Sequence, residues 1–191
     1  MKKILTVLLI TILTVGAALA VTTSSKTIKF DNQIFTLKFS DYSNATKSYI
    51  NEYYKGNENG DKWTDLIGIY HIKNYSKPFN YAKDLAAGAS KQSPLDAQVM
   101  YNEKENTAIV NFILIGDTGK SKYLEQNIFK IEKIKNKSGV MAIQFAHKYP
   151  LNSKEDAEKF KEQLPGKQAK WLMEIDKLSI PNIVERNIKS W

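Results

Sequence analysis

The side-chain chemistry open to this chain of 191 residues is narrow, because it holds two histidines and no cysteine. Without thiols there are no disulfides, thiolate metal sites or cysteine nucleophiles, and no N-terminal cysteine to carry a lipid. Imidazole chemistry therefore rests on His71 and His147, which can meet in space and bind a metal with Glu52 or Asp65, or serve as the base of a hydrolase. Neither has a second ligand two or four residues on, so no metal half-site is visible. No G-x-S-x-G elbow is present to supply a serine nucleophile, and no pair of carboxylates stands out for glycoside hydrolysis. The histidines read first as structural or surface groups, and no metal or cofactor is implied.

Gly116-Asp117-Thr118-Gly119-Lys120-Ser121 ends in the Gly-Lys-Ser of a phosphate-binding loop. Such a loop needs four residues between its glycines so that successive backbone amides surround a phosphate. Here there are two, and Leu114 stands where the first glycine belongs. The segment reads as an ordinary loop.

Aromatic residues are more suggestive. Tyr42, Tyr49, Tyr53, Tyr54, Trp63, Tyr70, Tyr75, Phe79 and Tyr81 crowd one stretch, separated by Asn, Lys and Gly. About half of such a set belongs to the core of a tyrosine-rich sheet; the rest can form a binding face, since Tyr and Trp combine apolar area with a polar tip. Gly56, Asn57, Asn59 and Gly60 favour an exposed turn, whereas Trp63 favours burial. The indole then either plugs the end of the sheet or stands at a rim beside the Gly56–Lys62 loop. Tyr53, Tyr54 and Trp63 are the candidate binding residues.

A net charge of +8 draws the chain to anionic surfaces. Arg186 is the only arginine, and lysine is a hydrated point charge rather than a bidentate reader of bases or phosphates. Sequence-specific nucleic-acid binding is not supported.

The elements that must position these residues begin after an address. Met1-Lys2-Lys3, the apolar run Ile4 to Val15 and Ala18-Leu19-Ala20 have the charged start, apolar middle and small-residue exit of a secretory signal peptide. Ile4 to Val21 is also about long enough for an uncleaved anchor. The polar Val21-Thr22-Thr23-Ser24-Ser25 stretch favours cleavage, giving a signal peptide over 1–20 and one domain over 21–191, periplasmic or secreted, with no later membrane span.

Alternation predicts hairpins at 27–39 around Asp31-Asn32, at 97–115, and at 125–147 turning at Asn136-Lys137-Ser138-Gly139. Strands are predicted at Tyr49–Tyr54 and Leu66–Ile72, the latter covered on both faces. Pro78 starts a short helix ending near Ser90, with Tyr81, Leu85 and Ala89 as its stripe. Asn152 or Ser153 caps a second helix, which buries Ala157, Phe160 and Leu164, is broken or kinked at Pro165-Gly166, and continues with Trp171, Leu172, Ile175 and Leu178. The fold class is α+β: a mostly antiparallel sheet of hairpins, one short helix and a long, Pro-kinked C-terminal helix packed on it.

This order of elements resembles the PsbP-like fold of extrinsic thylakoid-lumen proteins. The stretch Tyr49-Ile50-Asn51-Glu52-Tyr53-Tyr54, with Lys62-Trp63-Thr64-Asp65-Leu66-Ile67 and Ala142-Ile143-Gln144-Phe145-Ala146-His147, is similar to segments of uncharacterised secreted bacterial proteins. The resemblance implies a protein-binding or accessory module. The expectation is thus a non-enzymatic envelope or secreted protein that binds another macromolecule, a protein or a glycan. The alternative is a hydrolase of envelope polymers using His71 or His147.

Overall fold

Asp31 and Asn32 take left-handed backbone angles (φ 49° and 58°), the conformation that a two-residue hairpin turn requires and that Asp and Asn tolerate. They join β1 (Thr27–Phe30) to β2 (Gln33–Ser43). The computed structural model describes residues 26–119, 121–134, 138–185 and 188–189. The expected signal segment, Lys120, and part of the turn at Asn136-Lys137 lie outside these residues. From β2 the chain runs through β3 (Ser48–Lys55), β4 (Asp65–Ile72), α1 (Pro78–Ser90), β5 (Gln98–Asn102), β6 (Thr107–Asp117), β7 (Lys122–Lys133), β8 (Val140–Pro150) and α2 (Lys154–Lys177) to β9 (Ile188–Lys189).

The strands form one antiparallel sheet in the order β1-β2-β3-β4-β8-β7-β6-β5, with β9 paired to β2 beyond β1. The fold is α+β, and each predicted strand is present. β4 lies at its centre between β3 and β8, which explains its continuous apolar run: both faces are covered. The sheet curls, because the Phe30 ring of β1 lies 4.6 Å from Phe145 of β8 although three strands intervene in the sheet order.

Each face buries a separate cluster. Tyr53, Ile67, Ile143, Phe145 and Ile128 gather beneath α2, whose Trp171 and Ile175 complete the core. On the opposite face Val110, Phe129, Ile131 and Ala142 meet α1. That helix buries Pro78, Ala82, Ala86 and Ala89, whereas Tyr81 and Leu85 are only half-buried. Its contact stripe is thus rotated from the expected one, and the small alanines set the contact with the sheet. α1 packs on β5, β6 and β7. The end of this face around Trp63, Tyr54 and Leu66 has its own small cluster away from the helix.

Ser153 caps α2 with a complete capping box: its side chain accepts from the Asp156 amide, and Asp156 accepts from the Ser153 amide at 3.1 Å. The helix is not divided at Pro165, although the imino acid removes one backbone donor. Burial is concentrated toward its C-terminal end, at Trp171 and Ile175, while Ala157, Phe160 and Leu164 are half-buried. That end is held from below by Lys130 of β7. Its ammonium donates to the carbonyls of Asp176 (2.7 Å) and Leu178 (3.0 Å) and pairs with Glu132 at 2.8 Å. The positive charge sits against the negative end of the helix dipole, which accounts for a buried lysine. No helix among the described residues is long and apolar enough to cross a membrane.

Candidate functional site

Register decides what the histidines can do. Asp65 is opposite His147 where β4 pairs with β8, and His71 pairs with Met141 six residues further along, roughly 20 Å away at ordinary strand rise. The two imidazoles do not share a site. His71 is buried, with Nε2 3.2 Å from the Ser138 carbonyl and its ring stacked near Tyr49. His147 meets one oxygen of Asp65 through Nδ1, and Lys55 Nζ meets the other. The Asp65 side chain is 5% exposed, so its charge is held between two partners almost out of water.

Burial pushes the Asp65 carboxyl up, but hydrogen bonds and charge from His147 and Lys55 outweigh it and leave the group below the usual carboxylate range. The imidazole is walled by Tyr149 (centroids 4.3 Å apart) and Trp171 (5.1 Å). An Asp–His pair is the orienting half of a catalytic triad. Here no serine hydroxyl among the described residues hydrogen-bonds to the imidazole, and the pair ties β3, β4 and β8 together beneath α2. Among the described residues no group of three or more His, Asp or Glu is placed to hold a metal.

The three candidate aromatics are separated by the pleat. Tyr53 lies fully buried in the cluster under α2, and Tyr54 faces the other way, 1% exposed, donating to Glu52 Oε2 at 2.5 Å. Burial raises the Tyr54 hydroxyl above its ordinary range, and Glu52 adds to the shift. Glu52 is itself raised by burial, partly offset by that bond. Neither tyrosine has surface to offer a partner. Trp63 does: it is half-buried, its underside packed on Tyr54, Leu66 and Ala146. Of the two outcomes foreseen for the indole, each holds in part, since the ring closes the sheet end and still keeps some exposed surface.

The loop before Trp63 is ordered by its own polar groups. Gly56 adopts φ 45°, and the Lys55 carbonyl accepts from the Glu58 amide at 2.8 Å. Asn59 Oδ1 accepts from the amides of Asp61 and Lys62, both at 3.1 Å, an Asx turn that closes the loop. Glu58 Oε1 accepts from the Thr64 amide at 3.2 Å. Its Oε2 is buried, with no hydrogen-bond partner among the described residues. Asn57, Glu58, Lys62, Trp63 and Thr64 line a cavity of about 310 Å³ at this point.

Two residues that sequence reasoning did not single out complete the neighbourhood. Lys148 Nζ lies 3.6 Å from the Trp63 ring centroid and 4.7 Å from that of Tyr123, a cation held between two aromatic faces. Burial lowers the Lys148 ammonium from its ordinary value. Further along the same face, Tyr70 donates to Gln144 (2.5 Å), Gln144 to Asn127 (2.6 Å) and Asn127 to Glu125 (3.1 Å). The alternation of β8 places Gln144, Ala146 and Lys148 on one side, and that was the available signal.

Gly116 to Gly119 and Ser121 belong to the hairpin between β6 and β7, closed by Thr118 N–H to the Ser121 carbonyl (3.0 Å) and by Asp117 accepting from the Gly119 amide (2.7 Å). A strand follows, not a helix, so no helix N-terminus is available for phosphate.

A family model matches residues 23–180, and the chain belongs to that family, which is uncharacterised. No curated protein and no solved structure matches it.

Proposed function

We propose that this member of an uncharacterised family is an exported, non-enzymatic accessory protein that binds another macromolecule in the periplasm or outside the cell. The observation that carries the proposal is Trp63, packed from below yet only half-buried, beside a cavity on an ordered loop. A half-open tryptophan on an ordered rim is the kind of anchor around which binding energy concentrates. Export is supported by the N-terminal pattern of charge, apolar run and small residues. The resemblance to the PsbP-like topology supports the same accessory role. A hydrolase built on His71 or His147 has less behind it, since His71 faces a backbone carbonyl and His147 is engaged by Asp65 between aromatic rings.

The test is retention on envelope material purified from the native host, at about 0.15 M salt so that loosely held lysine contacts are screened. Wild-type protein should sediment with the material, and Trp63→Ala should lower its affinity about tenfold or more. Equal retention of the two proteins, or none for either, would overturn the proposal. Mass spectrometry of protein recovered from the host tests export separately: a terminus at Met1 would refute cleavage.

A further inference from the structure

We infer that Ser40 and Asn51 form a clamp for the backbone of an extended peptide, filled here by the chain's own segment after α2 at Val184 and open to a segment in trans when that strap lifts. The site goes beyond the binding reading above. Asn51 shares the α2 face of the sheet with Tyr53, two residues on, whereas Trp63 packs with Tyr54 on the other face. The Asn51 side chain treats Val184 as a neighbouring strand would. Its Oδ1 accepts from the Val184 amide at 2.6 Å, and its Nδ2 donates to the Val184 carbonyl at 3.1 Å. Ser40 Oγ donates to the same carbonyl at 2.8 Å and accepts from Asn51 Nδ2 at 2.8 Å. Ser40 and Asn51 are both 0% exposed. These side-chain bonds to the strap all go to main-chain groups that any residue but proline carries.

The hold on the strap is narrow. From Leu178 to Glu185 the chain forms no helix or strand, and Val184 is the one buried residue of that stretch. Ile180 and Ile183 are half-buried against the cluster under α2, and beyond the clamp β9 adds a two-residue pairing with β2. The family match includes Ser40 and Asn51 and stops at residue 180, so the clamp belongs to the matched region and its occupant does not. When the strap lifts, Asn51 Oδ1 loses the amide bonded to it, and Asn51 Nδ2 and Ser40 Oγ lose the Val184 carbonyl. Polar groups left without partners are costly, which favours a replacement that supplies an N–H and a C=O from one residue. Water can take these bonds but not the contacts of Ile180 and Ile183. An extended peptide supplies both, with main-chain bonds for affinity and aliphatic residues one and four places before the clamped one for selectivity.

The experiment weakens the occupant in cis and adds the same sequence in trans. Val184→Pro in the full chain removes the amide from which Asn51 accepts. The probe is a fluorescein-labelled synthetic peptide with the sequence of residues 179–189, followed by anisotropy. It should bind Val184→Pro saturably and wild type at least about tenfold more weakly, because the wild-type strap competes from within the same molecule. Asn51→Leu added to Val184→Pro, and N-methylation of the peptide at its valine, should each weaken binding about tenfold or more. The inference is overturned if Val184→Pro does not bind the peptide, if wild type binds it as tightly, or if either of those changes leaves the affinity as it was. A Val184→Pro chain that does not fold overturns it too, since the strap would then be part of the core and not an exchangeable occupant.

Discussion

Trp171 and Trp63 lie on opposite faces of one sheet, and their surroundings differ in a way that their sequence contexts do not announce. Trp171 is 2% exposed, its indole N–H donates to Asp31 at 2.9 Å, and its ring tilts against Phe145 and His147. Asp31 also meets Lys170, and its backbone amide donates to Glu174 at 2.6 Å, so the first hairpin turn is fastened to α2 at several points. One polar atom beneath the same helix is left over, the buried Tyr149 hydroxyl, which has no hydrogen-bond partner among the described residues. Trp63, by contrast, is only half-buried on its small cluster of Tyr54, Leu66 and Ala146, and it too has a buried unpaired oxygen nearby, Glu58 Oε2. Burial separates the two places: the first indole is closed into the core as architecture, whereas the second keeps some surface that something from outside can reach.

The contrast can be broken most directly at its buried end. Trp171→Ala should cost about 3–5 kcal/mol in denaturant unfolding, because it opens a cavity under α2 and strands Asp31. An unchanged midpoint would show that the helix is not fastened there. Asp65→Asn should cost about 3 kcal/mol near neutral pH by leaving His147 and Lys55 without their shared anion. The native Asp65 carboxyl is depressed, so its stabilisation is full above the unfolded value of about 3.9 and fades as pH falls through the lower native value. Unfolding measured at pH 7 and below pH 4 should therefore show a shallower acid loss in Asp65→Asn than in wild type. Identical acid slopes would remove Asp65 from the account.

Gly68→Ala tests the second face. A Cβ there would lie 2.7 Å from the Tyr70 ring and hydroxyl and 3.0 Å from Gln144 Oε1. The ring must move and its bond to Gln144 must stretch or break, at about 1–3 kcal/mol by thermal unfolding. A fully neutral substitution would mean that the tyrosine–amide chain contributes little. The smallest folding effect belongs to Trp63→Ala, about 1–2 kcal/mol, since its half-buried ring loses less packing than a fully buried one. If that variant instead unfolds as readily as Trp171→Ala, the two tryptophans are equivalent and the binding proposal loses its anchor.

Much of the architecture was readable before the structure because it is written in short-range chemistry. Asp31-Asn32 allowed a left-handed turn, Ser153 was one of two cap candidates and carries the observed capping box, and β4 announced burial on both faces through adjacent apolar residues. The site was less legible. Alternation puts Tyr53 and Tyr54 on opposite faces but does not say that both faces are covered at that point. The α1 stripe was misjudged because tyrosine and leucine outrank alanine in hydrophobicity, while the alanines make the contact. The Asp65–His147 pair spans β4 and β8, and the Lys148–Trp63 contact likewise joins β8 to the loop before β4. Such pairs are fixed by register between distant segments, which no local pattern encodes.

The grip of Lys130 on the last carbonyls of α2 has a mechanical consequence. The helix is a cantilever, clamped at Trp171, Ile175 and the lysine, with Pro165 interrupting the hydrogen-bond ladder short of the clamp. Its first turns can open without exposing the core beneath Trp171, whereas release of the clamped end requires rupture of the sheet's own contacts. Amide hydrogens before Pro165 should therefore exchange through local opening, and those from Trp171 onward only with global unfolding.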